Sequence, residues 1–134
     1  MCGTSITADA AKTLAAPAIA EAMKNKWMMA VAIVDTHGEL VYFERMDDVQ
    51  MGSVDIAIAK ARSAARFKRP TKVFQEGLAA GGDGLRLLGL QGAVPVEGGV
   101  PLMHDGKIVG AIGASGGTSQ QDGVVAAAGA GALK

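Results

Sequence analysis

Two histidines, His37 and His104, are the side chains best suited to hold iron or another metal. His37 lies in "DTHG" and His104 directly precedes "DG", so both belong to turns. The plain alternative for each is an exposed turn residue. No His, Asp or Glu spacing marks a structural zinc site, and one cysteine, Cys2, cannot build a thiolate cluster.

Arg45 and Asp47 alternate along a strand pattern and fall on one side with Val41 and Phe43, leaving Glu44 on the other. Such a charged pair orients a ligand carboxylate, holds a neighbouring subunit, or closes on itself at the strand end. Arg62, Arg66, Lys68, Arg69 and Lys72 crowd five cations into eleven residues. They form either a solvated helix end that suits the dipole or a sink for carboxylates.

Glycines punctuate residues 98 to 117. Gly98 and Gly99 permit a sharp strand entry, and Gly106 supplies the positive φ of a hairpin turn. Gly110 and Gly113 leave gaps over a sheet, to be filled by a helix, another subunit or a ligand. "GASGG" at 113–117 matches the G-x-S-x-G nucleophile elbow, but both histidines precede Ser115 and the chain is too short for that fold. A better use of Ser115, Gly116 and the residues to Thr118 is a loop whose N–H groups face an anion or carbonyl at a helix N-terminus. The plain alternative is a strand-to-helix connection. No Walker lysine and no Rossmann fingerprint follow the glycines.

These residues need elements to hold them. Residues 5–26 read as an amphipathic helix capped by Ser5 or Thr7, with Asp9 in its first turn. Pro17 should kink or split it. Met28–Val34 is apolar on both strand faces, and Leu40–Met46 returns across the turn. Residues 52–67 predict a second helix, with Ser53 as cap and an alanine face at Ala57, Ala61, Ala64 and Ala65. A short third helix starts at Pro70. Val100–His104 and Lys107–Ala114 flank "DG", a second hairpin. A last helix follows Thr118 or Ser119. The order predicts one α+β domain over 1–134, with a mainly antiparallel sheet built from two hairpins and flanked by helices.

Lys plus Arg is 13 and Asp plus Glu is 13, a zero net charge that disfavours nucleic acid. With five aromatic residues, the core must come from Ala, Val, Ile, Leu and Met. The lone Cys2, beside an end expected to be mobile, fits a reducing, cytoplasmic setting. No signal peptide or membrane span is expected.

"AVAIVDTHGELVYFERMDD", "GSVDIAIAKARSAA" and "VPVEGGVPLMHDGKIVGAIGASGG" with a following "QD" resemble the GlcG/HbpS family of small haem-binding proteins. That domain also forms the C-terminus of PduO-type cobalamin adenosyltransferases. The resemblance runs over about residues 7–132. It implies a profilin-like sheet of about five strands and a homo-oligomer, often an octamer. It implies haem or a related tetrapyrrole as ligand, with His37, or else His104, on iron and basic residues on the propionates. His104 departs from the family pattern, so no ligand role transfers to it. The alternative implied is an enzyme or carrier of small organic acids. There Arg45 and Lys60 grip a carboxylate, Gly98, Gly99, Ser115 and Gly116 shape the site, and Asp47, Glu97 or Asp122 acts as acid or base.

Overall fold

The computed structural model describes residues 1–133. Its elements are α1 (Ala8–Lys24), β1 (Ala30–Val34), β2 (Leu40–Arg45), α2 (Gly52–Phe67), α3 (Thr71–Ala79), β3 (Gly99–His104), β4 (Lys107–Ser115) and α4 (Ser119–Ala130). A 3₁₀ segment, Gly82–Gly89, crosses between α3 and β3. The sheet order is β2-β1-β4-β3, antiparallel throughout. This is the expected α+β architecture, with four strands rather than about five. The N-terminus adds only a single parallel bridge, Cys2 to Ile108. That bridge also corrects the expectation of a mobile end: Gly3 N donates to Ile108 O at 2.8 Å, and Ile108 N to Met1 O at 3.0 Å.

The helices cover both faces of the sheet. On one face α1 and α4 enclose Leu14, Ile33, Ile112 and Val125 among others. On the other, α2 lays Ala57, Ala61, Ala64 and Ala65 against Ala30, Ala32 and Ala111. Alanine on both sides brings helix and strand backbones close, which explains Gly113. A Cβ there would strike the Ala57 carbonyl and lie 2.7 Å from Ala61 N. Gly110 is closed off in the same way by the Val34 carbonyl and Ile6. The gaps over the sheet are therefore filled by the chain itself. All five residues of β1 are buried, as a strand covered on both faces requires.

Local signals set most of the element ends. Thr7 caps α1, its side chain accepting from Ala10 N. Asp105 and Gly106, at φ 51° and 74°, make the two-residue turn between β3 and β4. Thr118 caps α4 in a capping box with Gln121. Two expectations fail. α1 runs unbroken through Pro17. Ser53 is not a cap either: it lies inside α2, is buried, and accepts from Gln50 Nε2 at 3.1 Å.

Candidate functional site

Sequence-predicted residues from three separate segments meet at the end of the sheet where β4 finishes. Lys60 of α2 donates to Asp122 Oδ2 at 2.8 Å and to the Ala114 carbonyl at 3.1 Å. Both side chains are buried. Asp122 Oδ1 accepts from Gly117 N at 2.9 Å. α2 and α4 lie on opposite faces, so this pair passes around the β3–β4 end of the sheet. Gly98 and Gly99 leave the passage open. A Cβ on Gly98 would sit 2.8 Å from Lys60 Nζ and 2.7 Å from Ala114 O, and Gly98 holds φ +134°. Gly99 backs onto the Lys60 carbonyl, and its N–H donates to Thr71 Oγ1 at 2.9 Å.

Glu97 joins this end of the molecule. Its carboxylate lies over Gly123, just past the first turn of α4 and near the end where the helix dipole favours negative charge. Its N–H donates to Gln75 Oε1 at 2.8 Å. Arg45 pairs across the sheet with Ala30, and Ala30 with Ser115. The three share one row, with Arg45 and Ser115 about 10 Å apart at two strand spacings. Arg45 is exposed and lines an open surface hollow with Asp47, Asp48 and Met51. None of Lys60, Glu97 or Asp122 lines that hollow.

The carboxylate that Lys60 holds is the chain's own Asp122, and burial leaves neither group in contact with solvent. Asp47 stands in a different, exposed hollow. The loop from Ser115 to Thr118 is spoken for as well: Gly117 N–H goes to Asp122, and Thr118 N–H to Gln121 Oε1 at 3.0 Å. Gly116 backs onto the Met28 carbonyl. The N–H groups expected to face an anion are thus used internally at Gly117 and Thr118.

Both histidines lie at the other end of the sheet, where β1 ends and β4 begins. The nine residues of β4 separate the two ends, about 26 Å at roughly 3.3 Å per residue. Gly98, Gly99 and Gly116 therefore do not share one site with the imidazoles. Among the described residues, no group of three or more His, Cys, Asp or Glu is placed to hold a metal ion. His104 Nε2 lies 3.4 Å from Asp105 Oδ2, beside a small cleft of about 270 Å³.

His37 has a different neighbourhood. It is exposed on the β1–β2 turn, and its carbonyl accepts from Arg66 Nε at 2.9 Å. Arg62 Nε donates to the next carbonyl, Gly38 O, at 3.0 Å. Both arginines line a cleft of about 470 Å³ with the Asp55 carboxylate and the apolar Leu40, Ile58, Ala59 and Val94; His37 is beside the cleft and does not line it. The cleft's size falls within the range of small-molecule sites, roughly 300–1,000 Å³. The sequence had marked Arg62 and Arg66 only as part of a cation run. Their spacing of four places them on one helix face, a signal pointing to a paired grip. Leu40, Ile58 and Val94 carried no such signal, because three distant segments supply them.

Comparison with known proteins follows the fold closely. A family model described as "Haem degrading protein HbpS-like" matches residues 6–131. The chain is 39% identical to Protein GlcG of Escherichia coli K12 over 95 residues, covering 71% of this chain and 69% of GlcG. A double mutant of HbpS from Streptomyces reticuli superposes with a TM-score of 0.89 at 30% identity, over all of this chain and 90% of that one. A solved PduOC:heme complex matches with a TM-score of 0.86 at 27% identity, over 98% of this chain and 96% of that one.

Proposed function

The chain belongs to the HbpS-like family, and from that premise we propose that it binds haem or a related tetrapyrrole in the cleft beside α2. The observation that carries this reading is the Arg62–Arg66 pair in a largely apolar cleft beside the turn that bears His37. The lining fits such a ligand in its apolar wall and its arginines, while Asp55 sets a carboxylate against the propionates and His37 stands outside the lining. Leu40, Ile58, Ala59 and Val94 offer an apolar wall to a macrocycle. Both guanidiniums give their Nε to the turn; Arg66 Nη2 pairs with Glu39, so Arg62 is the better placed for a propionate, in the planar geometry that suits carboxylates. His37 is the iron ligand in this reading, and His104, beside a smaller cleft and next to Asp105, is not. Haem brings iron chemistry; the protein supplies carboxylate recognition, one imidazole and an apolar wall. The likeness to a protein solved as a haem complex supports haem as the kind of ligand.

The reading includes a cytoplasmic assembly of identical subunits, octameric as the resemblance implies. The exposed Leu85, Leu88 and Leu90, of which Leu88 is 71% exposed, support self-association. The unpaired Cys2 suits a reducing compartment. Among the described residues no helix is long and apolar enough to cross a membrane.

Titration of the purified protein with hemin tests the proposal. A saturable Soret shift is expected, changed by His37→Ala and unchanged by His104→Ala. Arg62→Gln should weaken binding without altering the band. No Soret shift in the wild-type protein, or one indifferent to His37→Ala, overturns it. Light scattering reads the assembly separately, and a monomer at micromolar concentration would refute that part.

A further inference from the structure

We propose that two copies of the chain join through β2, each strand extending the other's sheet in an antiparallel pair centred on Phe43; this rests on the assembly of identical subunits proposed above and names its contact. β2 is one edge of the sheet. Met46 N donates to Met29 O at 3.0 Å, which fixes the phase of the ladder. By the alternation of antiparallel pairs, Glu44 and Tyr42 bond to Val31 and Ile33 of β1. The N–H and C=O groups of Phe43 and Arg45 then point away from β1, and no hydrogen bond among the described residues takes them up. The opposite edge, β3, is blunted by Pro101 and by a register shift between Leu102 and Met103. β2 carries no proline, and its register shift lies near its start, opposite Ile33 and Val34. An edge left open in this way is a template for another strand.

The side chains of β2 select the register. Outward groups must meet outward groups, so the strands slide by two residues at a time and the two-fold axis moves by one. An axis at Glu44 sets two carboxylates opposite each other, and an axis at Arg45 does the same with two guanidiniums. An axis at Tyr42 carries Arg45 past the end of the partner strand. With the axis at Phe43, that ring meets the partner's Phe43, and each Tyr42 hydroxyl faces the partner's Glu44. Arg45 then lies opposite the partner's Val41 and diagonal to the partner's Glu39, within reach of long side chains. Glu44 takes its own Tyr42 hydroxyl on Oε1, which leaves Oε2 for the second one. The strand is thus complementary to itself, with aromatic rings at the axis and polar pairs repeated on either side. Val41 to Glu44 are half-buried and Leu40 is 46% exposed, so pairing also covers apolar surface.

The test begins with the wild-type, full-length protein, by sedimentation velocity and amide exchange over a dilution series. Expected is an even-numbered assembly in which the Phe43 and Arg45 amides are protected, and lose that protection as dilution yields monomer. Tyr42→Phe removes two hydroxyl bonds across the axis and should raise the dissociation constant at least about tenfold. Phe43→Cys and Glu44→Cys, each combined with Cys2→Ser and oxidised with glutathione disulfide, read the register. Phe43→Cys should form a covalent dimer, since paired Cα atoms about 5.5 Å apart suit a disulfide, and Glu44→Cys should not. A wild-type monomer at micromolar concentration overturns this contact together with the assembly reading. An assembly whose Phe43 and Arg45 amides exchange freely overturns the contact alone and leaves assembly standing. A covalent dimer from Glu44→Cys and none from Phe43→Cys overturns the register.

Discussion

Lys60 Nζ and Asp122 Oδ2 stand 2.8 Å apart with their side chains 1% and 4% exposed, joining α2 and α4 around the end of the sheet that separates them. A buried ion pair adds little against an apolar replacement, but losing one partner strands a charge. Lys60→Met should therefore cost about 3–5 kcal/mol. Lys60→Met with Asp122→Leu should recover most of that loss. Urea denaturation of the single and double variants measures both. A double variant as unstable as the single one would contradict the account.

Gly113→Ala should destabilise by about 1–3 kcal/mol or more, since the new methyl meets α2 backbone, which cannot rotate away. Gly89→Ala, with open space around it, should stay within about 0.5 kcal/mol of wild type. Thermal denaturation of the two side by side separates close packing from a general intolerance of substituted glycine.

Tyr42 is the one tyrosine of the chain, and its phenol is held above its ordinary pKa of 10.0, first by burial and then by Glu44. Its hydroxyl donates to Glu44 Oε1 at 3.1 Å. A raised folded pKa means that the unfolded chain loses this proton first as pH climbs. The stabilisation is thus complete below pH 10 and falls as pH rises through the folded value. Absorbance at 295 nm should show Tyr42 ionising later than a free phenol, and Glu44→Gln should bring the midpoint down.

Thr118→Ala should cost about 1 kcal/mol, because it removes one arm of the capping box that starts α4. Asp122 lies in that first turn, so fraying there should also loosen its bond to Lys60. Faster amide exchange at Gln121 and Asp122 is the expected sign.

Much of the fold was legible locally. The Asp105–Gly106 turn and the alanine stripe of α2 follow from spacing alone, and the caps were narrowed to Ser5 or Thr7 and to Thr118 or Ser119, because each signal lies within a few residues of its effect. Ser53 misled, since a serine near a helix start caps it or turns into the core according to neighbours from elsewhere. The fifth strand failed for a similar reason: residues 1–3 find a single bridge, too little chain to extend the sheet.

The sequence by itself determined which residues were unusual, among them Lys60, Glu97, Gly98, Gly99, Asp122, the five cations and the two histidines. Tertiary structure alone decided who meets whom. Lys60 and Asp122 are 62 positions apart, and their meeting depends on the β2-β1-β4-β3 order and on two glycines that leave room for a lysine to pass. The same order sends His37 and His104 to the far end of the sheet, beside Arg62 and Arg66 in the case of His37. Local preferences act over a turn of chain, whereas a site is assembled by strand order and packing, which no short stretch of sequence carries.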